Sequence, residues 1–129
     1  MSSKFLDSNI ILRYLLDDPQ ALSIENLLKT TQGLVLPDIV FAEVIWTLTR
    51  FYKWEKNKVV SLSSGLLDLK NISANKNLLL KSLEIYKRSN IKYTDAYIAA
   101  LMSGNGSKDI YSFDRDFDRI PSIKRMEPK

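Results

Sequence analysis

At 129 residues, with 45% hydrophobic and 26% charged content, the chain is sized for one domain with a real core and little room for a second. It has no cysteine and no histidine, which excludes disulfides, thiolate metal sites, cysteine nucleophiles, a serine triad and imidazole-based ribonuclease chemistry. A net charge of +4, from 19 basic and 15 acidic residues, is compatible with a polyanionic partner and leaves carboxylates, hydroxyls, amines and oxygen-bound metals to do any chemistry.

The first apolar run, Lys4-Phe5-Leu6, is cut by Asp7 and followed by Ser8, Asn9 and the helical pattern Ile11, Leu12, Leu15, Leu16. It reads as a short strand ending at Asp7 and a turn into a helix. Asp18-Pro19 opens a second helix that runs through Leu22, Ile24, Leu27 and Leu28 to Thr30. Gly33 to Pro37 is a short apolar run between breakers, hence a buried strand. Asp38 then caps a helix reaching Trp54, and a further helix spans Lys58 to Leu69. Asn71 to Ser73 reads as a brief strand, and Asn75 or Lys76 opens a helix through Tyr86. Thr94 caps the next helix, Asp95 to Met102, which ends at Gly104-Asn105-Gly106. Asp109 to Ser112 is a strand, Asp114 to Arg119 a helical turn, and Ser122 to Met126 a last edge strand. Short strands alternating with helices predict an α/β domain with a central parallel sheet. The N-terminus does not read as a signal peptide, and no stretch is long enough to span a membrane.

Four acids stand where apolar residues are expected. Asp7 and Asp114 each follow a strand, and in an open α/β sheet ligands bind at the carboxyl ends of strands. Glu43 sits in Ile39-Val40-Phe41-Ala42-Glu43-Val44-Ile45-Trp46, a helix apolar on almost every face, where a buried carboxylate is costly unless paired. Asp95 sits among the small residues Ala96, Ala99 and Ala100, which suggest tight packing. Singly, each has an ordinary explanation. Asp7 can cap a helix, Glu43 can share a solvent stripe with Thr47 and Arg50, Asp95 suits a helix dipole, and Asp114, Asp116 and Asp118 can form a solvated turn. Together they make an all-oxygen site suited to a hard cation, Mg²⁺ above all with Mn²⁺ as a substitute. Without a cation, carboxylates that close would repel one another.

Asp7-Ser8-Asn9 after a strand, the lone glutamate in Pro37 to Glu43, Thr94-Asp95-Ala96-Tyr97-Ile98-Ala99-Ala100, and Ser112-Phe113-Asp114-Arg115-Asp116-Phe117 resemble the ordered acidic motifs of PIN-domain nucleases. Size and layout are most similar to the VapC-type toxins of toxin–antitoxin pairs. The resemblance implies a single domain over residues 1–129, built as a three-layer α/β/α sandwich around a mostly parallel sheet of four to five short strands. It implies catalytic and metal-binding roles for Asp7, Glu43, Asp95 and Asp114, with Asp116 as a frequent fifth acid, and supporting polar roles for Ser8, Asn9 and Ser112. It further implies Mg²⁺-dependent RNA cleavage, a homodimer, and a small antitoxin partner whose tail covers the acidic cleft. The expected location is the cytoplasm.

Because water rather than the ribose 2′-hydroxyl attacks in such a site, the expected products carry 5′-phosphate and 3′-hydroxyl ends. With four acids set aside as ligands, 11 acids remain against 19 basic residues, a surplus that can attract RNA around the acidic cleft. Arg13, Arg50, Lys53, Arg115 and Arg119 are the candidates, with Tyr97 and Phe117 available to stack on an unpaired base. Phe41 and Trp46 read as core, while Phe51, Tyr52 and Trp54 read as a dimer or antitoxin surface. Two other classes compete: a catalytically idle PIN-like module that binds RNA or protein, and a phosphotransfer protein using Asp7 as nucleophile. The latter usually carries a second acid beside or two residues after the nucleophile, and Ser8-Asn9 supplies none.

Overall fold

The structure, a computed structural model, describes residues 2–129. Its backbone forms two compact units, one extending to Lys76 and the other Asn77–Lys129.

In the first unit, strand β1 (Lys4–Phe5) runs parallel to β2 (Leu34–Val35), and β2 runs parallel to β3 (Ile72–Ser73), in the order β1-β2-β3. Lys4 pairs with Leu34 and Leu34 with Ile72. Bonds from the Leu6 amide to the Val35 carbonyl (2.8 Å) and from the Leu36 amide to the Ser73 carbonyl (2.9 Å) carry the ladders one step further. Gly33 enters β2 at φ +78°, and a Cβ there would stand 3.2 Å from the Ser2 carbonyl oxygen, so the turn demands glycine.

Parallel strands need long crossovers, and helices supply them. Helices α1 (Ser8–Leu15) and α2 (Ala21–Thr30) join β1 to β2. Helix α3 (Asp38–Trp46), a π-helical segment (Thr47–Phe51) and helix α4 (Lys56–Leu67) join β2 to β3. Helix α2 starts at Ala21 with Gln20 at the cap position, later than the Asp18-Pro19 signal predicts; Asp18 Oδ1 accepts from the Gln20 amide at 2.9 Å in the turn ahead of it. The core of this unit gathers Leu6, Ile11, Leu28, Leu34, Leu36, Phe41, Val44, Ile45, Leu48, Val59 and Ile72, all buried.

Helix α3 corrects two expectations. Its first residue is Asp38, with Pro37 at the cap position, and the Asp38 carboxylate accepts from Asn75 Nδ2 at 3.1 and 3.3 Å. Its inward stripe is Phe41, Val44, Ile45 and Leu48, at i, i+3, i+4 and i+7. Trp46 falls on the opposite side and is 59% exposed; Leu48 takes the inward place that Trp46 was expected to fill. Ile39, Glu43 and Trp46 therefore share an exposed face.

In the second unit, helix α5 (Lys76–Arg88), which begins at the boundary, is followed by α6 (Tyr93–Asn105). Gly106, at φ +70°, terminates α6 in the left-handed conformation. Strand β4 (Asp109–Tyr111) runs parallel to β5 (Lys124–Met126), with Asp109 opposite Lys124 and Tyr111 opposite Met126. A 3-10 turn (Arg115–Arg119) lies between them. Leu79, Leu83, Tyr93, Ala96, Ala100, Phe117 and Ile120 form the buried interior, where the Ser82 and Tyr93 hydroxyls meet at 2.7 Å. Among the described residues the five short strands thus pair only in parallel, as three in the first unit and two in the second. No helix among the described residues is long and apolar enough to cross a membrane.

Candidate active site

The second unit concentrates acid. Lys92 occupies the cap position of α6 in extended backbone, so Asp95 falls in the first helical turn, where the helix dipole favours a carboxylate. Thr94, expected as the cap, is itself inside the helix. Ala96, Ala99 and Ala100 let α6 pack closely, and Asp95 is drawn in to 7% exposure.

Asp114 ends the segment after β4 and caps the 3-10 turn. Its Oδ1 accepts from the Asp116 amide at 2.9 Å, and its own amide donates to Ser112 Oγ at 2.9 Å. These local bonds hold Asp114 and Asp116 so that one carboxylate oxygen from each of Asp95, Asp114 and Asp116 lies within 4.8 Å of the others. Ser112 therefore contacts the backbone of Asp114 rather than its carboxylate.

The electrostatics of the three differ. Burial pushes the Asp95 carboxyl above its ordinary value, and repulsion from Asp114 and Asp116 adds to this against the opposing pull of Lys92. The Asp116 amide and the Lys92 ammonium hold Asp114 below its ordinary value. Lys92 Nζ lies 3.2 Å from Asp114 Oδ2, and that bond, with the nearby Asp95, keeps Lys92 charged to higher pH than usual. Arg119 Nη1 lies 3.2 Å from Asp116 Oδ1. Asp95 Oδ2 is buried with no hydrogen-bond partner. An orphaned buried carboxylate oxygen among two further carboxylates is a donor set that fits a hard, oxygen-bound divalent cation.

The acids of the first unit have other surroundings. Asp7 is exposed and caps α1 itself, its Oδ1 accepting from the Ser8 amide at 2.8 Å. Ser8 Oγ donates to Glu43 Oε1. That bond joins the start of α1 to the exposed face of α3 and answers how Glu43 is tolerated on an apolar helix: it faces outward and has a hydroxyl partner. Asn9 is exposed and lines a concavity of about 360 Å³ with Arg13 and Tyr52.

The sequence profile of the PIN domain matches residues 4–123. The chain belongs to the PIN-domain family.

Among curated relatives, it is 23% identical over 132 residues to a VapC ribonuclease of Aquifex aeolicus, covering 97% of this chain and 96% of that protein. A solved structure of Mycobacterium tuberculosis VapC20, described as a sarcin–ricin loop cleaving toxin, aligns at 19% identity and a TM-score of 0.41 over 88% of this chain and 92% of that one. The fold class is accordingly the α/β sandwich of PIN domains.

Within this PIN domain the remaining candidates distribute unevenly. Arg13 closes α1 and bonds Gln20 Oε1, Arg50 lies exposed in the π-helical segment, and Arg115 lies exposed at the start of the 3-10 turn. Arg119 is the candidate that touches the acidic cluster. Tyr97 is half-buried, whereas Phe117 is only 3% exposed and belongs to the core, because the 3-10 turn points it inward; it is not placed to stack on a base. Phe51 and Tyr52 are exposed as expected, and Lys58 Nζ sits 3.9 Å above the half-buried Trp54 ring. Lys92 is the functional candidate that sequence reasoning missed. Its one signal was position, a cation just ahead of the Thr94-Asp95 helix start.

Proposed function

We propose that this chain is a metal-dependent endoribonuclease, the toxin of a toxin–antitoxin pair. The observation that carries the reading is the Asp95, Asp114 and Asp116 cluster with its unpartnered buried oxygen, set in a PIN domain. These three side chains would hold the cation, Mg²⁺ with Mn²⁺ as substitute. Bound there, it would supply Lewis-acid polarisation of a phosphate oxygen and a water of lowered pKa.

The protein's own groups do the rest. Ser112 and the Asp116 amide fix Asp114, as outer partners fix metal-binding carboxylates. Lys92 offsets the negative charge of the cluster. On the family pattern we assign Asp7 and Glu43 to the catalytic set as well, with Ser8 orienting Glu43 and Asn9 in a supporting role. Attack by water gives 5′-phosphate and 3′-hydroxyl ends. The similarity to a VapC ribonuclease along almost the whole of both chains supports the ribonuclease reading, and on the family pattern we further assign an antitoxin as partner, a homodimer, a cytoplasmic location and a single nuclease domain.

Purified protein incubated with diverse RNAs and Mg²⁺ is expected to cleave them, and chelator or Asp114→Asn to abolish cleavage. Ligation-based sequencing of the fragments reads the end chemistry. Cleavage that continues in chelator, or ends with cyclic phosphate, overturns the reading.

A further inference from the structure

The second unit also holds a cavity of about 580 Å³ that is distinct from the acid cluster but linked to it. Lys81, Arg88 and Arg119 bring positive charge to its wall, and Ser89, Ser103 and Ser122 bring hydroxyls. Arg119 is the link, since its guanidinium also lies 3.2 Å from Asp116. On α6 the sequence Asp95, Ala99, Ser103 follows one helical side at four-residue steps, so the two cavity-lining residues lie about 6 and about 12 Å along the helix from the buried acid.

We propose that this cavity is a subsite for the phosphodiester backbone of the RNA strand beside the bond that is cut; the inference rests on the nuclease reading. Three features favour that occupant. Two of the three cations are lightly committed: Arg88 and Lys81 share the single carboxylate of Glu84, at 3.2 and 4.0 Å, in half-exposed pairs of the kind worth little in water, while Arg119 is held by Asp116. Bidentate guanidinium groups and hydroxyls are the usual phosphate contacts. The apolar floor of Ile85, Ala99 and Ile120 is buried, so the cavity offers charge and hydrogen bonds without the exposed aromatic or aliphatic anchors on which protein interfaces depend. Contacts of this kind position the strand and do not read its sequence.

The test measures binding of a fluorescein-labelled 12-nucleotide single-stranded RNA by anisotropy, in an Asp114→Asn background that prevents cleavage. The double variant Lys81→Ala/Arg88→Ala is expected to weaken binding roughly tenfold for unrelated sequences and to flatten the dependence of log Kd on log salt by about 1.4, near 0.7 for each lost phosphate contact. With Asp114 intact, the same pair should raise KM while leaving kcat within about twofold. Lys87→Ala/Lys108→Ala removes equal charge from exposed residues of the same unit that do not line the cavity, and should change none of these.

Equal weakening in both doubles, no weakening in either, or no RNA binding by the parent overturns the proposal. So does a poly-glutamate peptide that binds through Lys81 and Arg88 when RNA does not, which would make the cavity an acidic-peptide site. Unchanged melting temperatures guard against misfolding. Cleavage with normal KM in the Lys81→Ala/Arg88→Ala protein sinks the subsite alone; cavity-dependent RNA binding by a parent that cuts nothing sinks the nuclease reading alone.

Discussion

The two units treat the same side-chain chemistry in opposite ways. In the first, Asp7 and Glu43 are exposed and each has a partner: a backbone amide for Asp7 and the Ser8 hydroxyl for Glu43. In the second, Asp95, Asp114 and Asp116 crowd within 4.8 Å, one of their oxygens is buried without a partner, and two cations lean on them. A satisfied acid stabilises its fold as it stands, whereas a crowded one is held in readiness for a charge from outside. The difference marks the second unit as the place where a metal ion changes the energetics most.

Substitutions can break that contrast. The largest effect is expected for Asp114→Asn, which removes a charge from the acid cluster proposed to hold the metal and should lower kcat about a thousandfold, equivalent to about 4 kcal/mol of transition-state stabilisation; single-turnover RNA cleavage measures it. For Asp7→Ala the loss of the α1 cap should lower stability by about 1 kcal/mol with or without Mg²⁺, read by denaturant unfolding. Asp95→Asn should act in the other direction. Because the folded carboxyl titrates above its ordinary 3.8, its ionised form costs stability at neutral pH, and removing that charge should raise the metal-free Tm by about 3 °C while abolishing the further rise on adding Mg²⁺. The gain should shrink as the pH falls through the raised folded pKa towards 3.8 and be absent below it, where Asp95 is protonated folded and unfolded alike. A lower Tm for Asp95→Asn, or an undiminished Mg²⁺ response, would remove the distinction between the units.

Lys92→Ala sharpens the comparison on a finer scale. It takes a competing cation off Asp114, so calorimetry should show Mg²⁺ binding a few-fold tighter, while the metal-free protein loses stability. The smallest effect is expected at Trp46, where replacement by serine should change stability by less than about 0.5 kcal/mol, because the ring lies on the exposed face of α3.

Two acids of the cluster, Asp95 and Asp114, stand out in the chain itself, as does Asp7 outside it. Asp7 and Asp114 stand just past short apolar runs, and Asp95 stands among small residues, so local pattern alone marks them as out of place. Glu43 was flagged for a reason that does not hold. Composition made α3 look apolar on every side, yet the exposed face carries Ile39 and Trp46 beside Glu43, and periodicity cannot tell which apolar stripe turns inward. Phe117 failed likewise: an aromatic in an acidic turn reads as exposed until the 3-10 geometry is known to aim it at the core.

The sequence by itself determined the chemistry on offer, since a chain without histidine or cysteine leaves carboxylates and a hard cation. It also determined the alternation of short strands and helices, because hydrophobic period and breakers act within a few residues. Tertiary structure decided the rest. The meeting of Asp95 with Asp114 and Asp116, the engagement of Lys92 with Asp114, and the link of Arg119 to a cationic cavity all join residues through packing and helix phase. Such contacts depend on which face of each element is buried, and that is set by the burial of all the apolar faces together rather than by any one stretch of chain.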